Sequence, residues 1–177
     1  QTSLRSFFEG RGPLIISRAP GRLDVMGGIA DYSGSLVLEE PLREATVCGV
    51  QVRSDRRVRV YSMDAAAEGW EPRCETSLDE LAPGPSDVPY AAVRARFSRN
   101  ASTAWAAYLA GTLTALRQSS FAPPLQQGVN IAVKSDIPLG AGVSSSAALE
   151  VATMMAVVRA YGLEISGMRL AALCQTV

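Results

Sequence analysis

The run Pro138-Leu139-Gly140-Ala141-Gly142-Val143-Ser144-Ser145-Ser146-Ala147-Ala148-Leu149-Glu150 constrains this chain more than any other, because it joins a glycine turn to a serine cluster and then to an apolar helix. Glycines let the main chain turn tightly and approach an anion. Serine hydroxyls are suited to cap the helix start, and the free N–H groups there meet the positive end of the helix dipole. The spacing therefore predicts a phosphate cradle, with an ordinary capped helix as the plain alternative. No lysine lies in the loop and no GxxxxGK[ST] run occurs in the chain, which excludes a Walker-type P-loop.

The rest of the composition narrows the partners. At 177 residues, 47% hydrophobic and 19% charged, the chain is long enough to bury one substantial core. Seventeen basic residues balance seventeen acidic ones, so no overall field favours nucleic acid or an anionic membrane, and small molecules are the expected partners. Cys48, Cys74 and Cys174 lack the paired spacings of zinc sites or disulfide frameworks, which fits a reducing, cytoplasmic setting. The apolar run Val151 to Val158, broken by Thr153, is too short to span a bilayer. There is no histidine, so neither a Ser-His-Asp or Cys-His nucleophile nor a histidine metal site can be assembled from these residues.

Along the chain, Leu14 to Arg18 reads as a strand ended by the turn Ala19-Pro20-Gly21, and Leu36-Val37-Leu38 as the start of a second strand. Ala45 to Val52 and Val58 to Tyr61, with Ser54-Asp55 between them, read as a hairpin. Glu68 to Pro89 lacks periodicity and reads as an exposed loop. Asn100 to Arg117 carries Trp105, Tyr108, Leu109, Leu113 and Leu116 at helical spacing, with Asn100 as cap. Val129 to Lys134 is a further strand, Ser144 to Tyr161 a helix ended by Gly162, and a last helix begins near Ser166. That helix carries no stop signal through Val177, so the C-terminus reads as a cut. Arg53, Arg56, Arg57 and Arg59 read as a solvated strand face, and Met154 and Met155 as core. Aromatics on a helix face are usually core, so Trp105 and Tyr108 stay outside the expected site.

Two motifs in order, Arg18-Ala19-Pro20-Gly21-Arg22 leading to Asp31-Tyr32-Ser33-Gly34, and Pro138 to Ala148, resemble the two signatures of the GHMP small-molecule kinases, in the galactokinase branch. The run from Arg18 to Leu38 looks most like the kinase domain of L-arabinokinases. The resemblance implies an α+β fold: residues 1–177 would form a GHMP N-terminal domain of the ribosomal protein S5 domain 2-like type, a sheet packed with helices, lacking its C-terminal half. It further implies ATP and Mg2+ as cofactors and a monosaccharide, arabinose or galactose, as the acceptor at its anomeric hydroxyl.

By the same resemblance, Arg22 is the active-site arginine, a permanent cation able to stabilise charge on the transferring phosphoryl group. Asp31 holds sugar hydroxyls, while Gly140, Ala141, Gly142, Val143, Ser144 and Ser145 form the nucleotide loop, Ser146 helps to hold magnesium, and the run Trp105-x-x-Tyr108-x-x-Gly111 resembles a family helix near the adenine, a second reading beside core. A structural ion pair is the other reading of Arg22 and Asp31. Galactokinases carry Glu-His where this chain has Gly28-Ile29, and that glutamate resembles a partner for the exocyclic hydroxymethyl oxygen of galactose. L-Arabinopyranose lacks that group, and a glutamate with nothing to bind would be a desolvated, unpaired charge. Gly28 and Ile29 therefore point to arabinose over galactose. In the family, the glutamate completing the metal site and the catalytic aspartate follow a Cys-Gln run like that at Cys174, beyond this sequence, so the piece by itself is expected to turn over little or nothing. A non-catalytic nucleotide and sugar sensor is the alternative from another class, and a degenerate structural fragment a third.

Overall fold

The computed structural model describes residues 4–8, 12–27, 34–81, 90–119 and 122–177. Gly28, Ile29 and Asp31 lie outside the described residues. The strands are β1 (Ile15–Met26), β2 (Leu38–Val52), β3 (Arg57–Ser62), β4 (Arg73–Ser77) and β5 (Val129–Ser135). They form one mixed five-stranded sheet in the order β1-β2-β5-β3-β4. The helices are α1 (Leu4–Phe7), α2 (Leu78–Leu81), α3 (Tyr90–Phe97), α4 (Ala106–Gln118), α5 (Ser145–Ala160) and α6 (Gly167–Cys174). The expected α+β architecture of a sheet packed with helices is what the chain adopts.

Strand β5 sits at the centre and is buried on both faces: Val129 to Val133 are all buried, Val129, Ile131 and Val133 on one face and Ala132 with the hydrogen-bonded Asn130 on the other. It pairs antiparallel with β2, Val50 opposite Ile131, and parallel with β3, Val60 opposite Ile131. This corrects the expected hairpin, since β2 and β3 are not neighbours. The Ser54-Asp55 segment bridges over the end of β5 instead, with Arg53 N–H donating to the Gly128 carbonyl at 2.8 Å and Gly128 N–H to the Asp55 carbonyl at 2.6 Å.

Four other expectations change. Strand β1 does not end at Ala19-Pro20-Gly21 but runs through it to Met26, with a register shift between Pro20 and Arg22. As an edge strand it tolerates a proline that cannot donate to the ladder. The strand expected near Leu36 begins at Leu38 and continues unbroken to Val52. The Glu68 to Pro89 stretch contains β4 and α2, closed locally by Glu80 N–H donating to the Ser77 hydroxyl at 3.2 Å. The last helix stops at Cys174 in a turn over Gln175 and Thr176.

Asn100 does cap, its side chain accepting from Ser102 N–H, but the element it opens is a short 3-10 turn (Ala101–Thr103) ahead of α4. Helix α5 lies across β1 and β2 and packs against α4 and α6. Ala148, Ala152 and Ala156 are buried along it, small side chains that permit close approach to the sheet, and the Ser17 hydroxyl donates to the Ala152 carbonyl at 2.5 Å. Met154 is fully buried as expected, while Met155 is half-buried. Cys48 lies in the same core, where burial pushes its thiol up to about 12 and keeps it unreactive. Among the described residues no helix is long and apolar enough to cross a membrane.

Candidate active site

The loop opening α5 is built from alternating backbone hands. Gly140 (φ +69°), Gly142 (φ +71°) and Ser144 (φ 60°, ψ 43°) are left-handed. A side chain at Gly140 or Gly142 would meet open space, so the positive φ and not crowding is what calls for glycine there. Ser144 is the sole described non-glycine residue with positive φ. Its strain, about 1–2 kcal/mol, sits at the N-cap position, immediately before a 16-residue helix. The serine cluster was expected to cap α5 through hydroxyls, but the Ser144 hydroxyl makes no capping hydrogen bond. The backbone turns so sharply here that the N–H groups of the first turn stay open to a ligand, the arrangement that binds anions at helix starts.

Gly21 and Arg22 lock this loop to the sheet. Arg22 N–H donates to the Val143 carbonyl at 3.1 Å, and a Cβ on Gly21 would lie 2.9 Å from the same oxygen. Here glycine is required by close backbone approach. The two motifs, more than a hundred residues apart in sequence, thus meet at Val143. The Arg22 guanidinium pairs with Glu39 at 2.7 Å, so a charge partner for this arginine exists within the described residues.

From Ser145 and Ser146 a cavity of about 580 Å³ extends away from the loop. Leu139, Leu149, Trp70, Trp105 and Tyr108 line it together with the serines. Trp105 belongs to the core, as its helical spacing suggested, with its indole N–H donating to the Glu71 carbonyl at 3.0 Å. It also lines the cavity, as does Tyr108, so burial in the core and a place on the cavity wall go together here. Asp64 also lines the cavity, one carboxylate oxygen accepting from Ser135 N–H at 2.7 Å. Asp136 pairs with Lys134 at the rim, and Glu68 and Arg94 also face the space. The cavity brings the start of α5 and three aromatic rings to one space, and its size suits a nucleotide.

Of the expected nucleotide residues, Ser145 and Ser146 line the cavity, Gly140, Ala141 and Gly142 form the exposed loop beside it, and Val143 points its carbonyl at Arg22. Ser146, the residue expected to help hold magnesium, has one neutral hydroxyl oxygen to offer such an ion. Among the described residues no group of three or more carboxylate, cysteine or histidine side chains gathers to hold a metal. Magnesium binds readily through a nucleotide's phosphates and water with few protein ligands, so a single serine fits such an ion as a minor contributor.

Residue Asp24 was not singled out by sequence. Its Oδ1 is buried with no hydrogen-bond partner among the described residues. Strand alternation places Asp24 on the same ribbon face as Arg22, a pattern readable only once β1 is known to continue past Gly21. The arginine cluster is a neutralised surface, but Arg53 and Arg56 lie in the connection before β3 and not on a strand: Arg53 pairs with Asp55 at 2.6 Å, Arg56 with Asp79 at 2.8 Å and Arg57, on β3, with Glu75 at 3.5 Å.

Comparison with known proteins places this geometry. Residues 107–177 match the model of the GHMP kinases N terminal domain. This is a GHMP kinase N-terminal domain. The GHMP chain is 38% identical over 191 residues to the L-arabinokinase of Arabidopsis thaliana, an alignment covering 96% of this chain and 18% of that protein. It is 35% identical to the galactokinase of Streptomyces coelicolor, covering 94% of this chain and 37% of that one. The chain thus spans well under half the length of the curated relatives it matches. In fold it resembles Lactococcus lactis galactokinase complexed with galactose, with a TM-score of 0.75, 22% identity, and coverage of 97% of this chain and 39% of that one. Methanococcus jannaschii mevalonate kinase shares the fold at a TM-score of 0.72 and 17% identity, over 93% and 45% of the respective chains.

Proposed function

We infer that this domain is the nucleotide half of an ATP-dependent sugar 1-kinase, transferring the γ-phosphoryl group of Mg·ATP to the anomeric hydroxyl of L-arabinose or D-galactose. The observation that carries it is a single cavity lined both by Ser145 and Ser146, at the N-terminus of α5, and by Trp70, Trp105 and Tyr108. A triphosphate would lie against the loop's N–H groups and the base against the aromatics. Bound magnesium would shield the phosphate charge, and Ser146 is the residue here that would face it.

The remaining work belongs to the chain itself. Loop N–H groups orient the phosphates without needing a lysine, and Arg22, fixed to that loop through Val143, offers a permanent cation beside it. Catalysis in this reading rests on positioning and charge stabilisation. Asp31 would hold the sugar hydroxyls, and Gly28 and Ile29, in place of a glutamate, favour a sugar without the exocyclic hydroxymethyl group. The relatives named L-arabinokinase and galactokinase support both sugars.

Calorimetric titration of the full-length protein with Mg·ATP, with and without each sugar, tests the reading. Saturable binding of Mg·ATP and of arabinose is expected. Folded protein that binds no nucleotide refutes it, and binding of both ligands without phosphoryl transfer establishes the sensor in its place.

A further inference from the structure

Before Thr46, β2 has no pairing with β5, so β1 and the first part of β2 leave the sheet as a two-stranded ribbon. The register Arg22 opposite Pro41 and Asp24 opposite Glu39 puts all four on one ribbon face. Two carboxylates therefore oppose each other across the strands, an arrangement that is unfavourable unless a cation relieves it. Arg22 does so by reaching diagonally to Glu39, Nη1 to Oε1 at 2.7 Å, with both side chains 35% exposed. Its main chain is already held by Val143, so the long, flexible side chain is the part of Arg22 left to be aimed.

We propose that Glu39 is a positioning residue that fixes the direction of the Arg22 guanidinium beside the phosphate loop. The proposal rests on the sugar-kinase reading, in which Arg22 stabilises charge on the transferring group. Glu39 touches no substrate and acts through Arg22 alone. It holds the donor fork before the substrate arrives, which removes reorganisation from the reaction step. Because the pair is partly solvated, it orders the guanidinium without strongly neutralising it, and its loss has a modest effect.

The test uses the full-length protein with Glu39→Gln, Glu39→Asp, Arg22→Ala and the double variant Arg22→Ala/Glu39→Gln. For Glu39→Gln, kcat is expected to fall about fivefold with KM for Mg·ATP nearly unchanged, the rate equivalent of an exposed ion pair at the top of its range. Glu39→Asp recovers part of that loss. In the Arg22→Ala background, Glu39→Gln costs nothing further, whereas additive losses overturn the proposal. A second readout needs no turnover. Phenylglyoxal labelling of Arg22, followed by mass spectrometry, is expected to speed up severalfold in Glu39→Gln. Equal labelling rates overturn the proposal whatever the activity. A wild-type protein without sugar turnover refutes the functional reading, and the labelling ratio still decides the pairing.

Discussion

The main-chain N–H of Arg22 donates to the carbonyl of Val143 at 3.1 Å, joining the strand that carries the arginine to the loop that opens α5, backbone to backbone. The main chain of Arg22 is therefore fixed relative to the loop opening α5 by two rigid elements, and only its side chain is left to be aimed.

Gly21 makes that bond sterically possible. An alanine there would put Cβ 2.9 Å from the Val143 oxygen and 3.3 Å from Ile137, so the loop must yield. Gly21→Ala is expected to cost about 1–3 kcal/mol in urea unfolding. Because the displaced atom belongs to the phosphate loop, calorimetry should also show weaker Mg·ATP binding. A variant with unchanged stability and affinity would show that the loop adapts freely.

Ser144 holds the loop in a left-handed conformation that no capping bond repays. Ser144→Gly should leave stability unchanged or raise it by up to about 1 kcal/mol, the relief of φ strain being offset by the flexibility of glycine in the unfolded chain. Ser144→Val, β-branched at the same φ, should lose about 1–2 kcal/mol. Thermal unfolding of the two variants side by side reads the difference. A less stable glycine variant would mean that the hydroxyl, not the backbone, is what the loop needs.

Topology can be tested at Gly128, the residue that threads β5 between β2 and β3. A Cβ at Gly128 would lie 1.8 Å from the Arg57 carbonyl oxygen, whereas one at Gly167 meets nothing within 4 Å. Gly128→Ala is expected to destabilise by about 3 kcal/mol or more, while Gly167→Ala, at the start of α6, should be neutral or stabilising by up to about 1 kcal/mol. Denaturant midpoints for the pair check this. Similar midpoints would contradict the strand order.

Burial on α5 raises the Glu150 carboxyl from 4.5 to about 7. The folded protein then holds this proton more tightly than the unfolded chain does. Its stability contribution is full below pH 4.5 and declines as the pH climbs to about 7. After discounting for partial exposure, the decline attributable to Glu150 is about 1–2 kcal/mol. Glu150→Gln should flatten the stability profile between those limits, and an unaltered slope would show that the carboxyl ionises normally.

Elements whose signal is local were legible from sequence. α5 and α4 follow from apolar periodicity, the left-handed loop from Gly140 and Gly142, and β5 from its apolar run. What eluded the sequence depends on distant partners. Ala45 to Val52 and Val58 to Tyr61 look like a hairpin because nothing local reports that β5, some seventy residues later, takes the place between them. The Pro20-Gly21 pair looks like a turn because its tolerance comes from lying at a sheet edge, and its need for glycine from the carbonyl of Val143. At the site, the motif names Ser145 and Ser146 because their chemistry is local, and both line the cavity. Helical spacing shows that Trp105 is buried but not that the buried ring also borders a cavity. Glu39 and Asp24 acquire meaning only from the β1–β2 register.

The most direct measurement is the initial rate of phosphoryl transfer from Mg·ATP to a panel of monosaccharides by the full-length protein, with phosphorus NMR to locate the new phosphate. The account predicts an anomeric phosphate, with kcat/KM higher for L-arabinose than for D-galactose. Phosphate at another position, a clear preference for galactose, or no sugar turnover by a protein that binds Mg·ATP would contradict it.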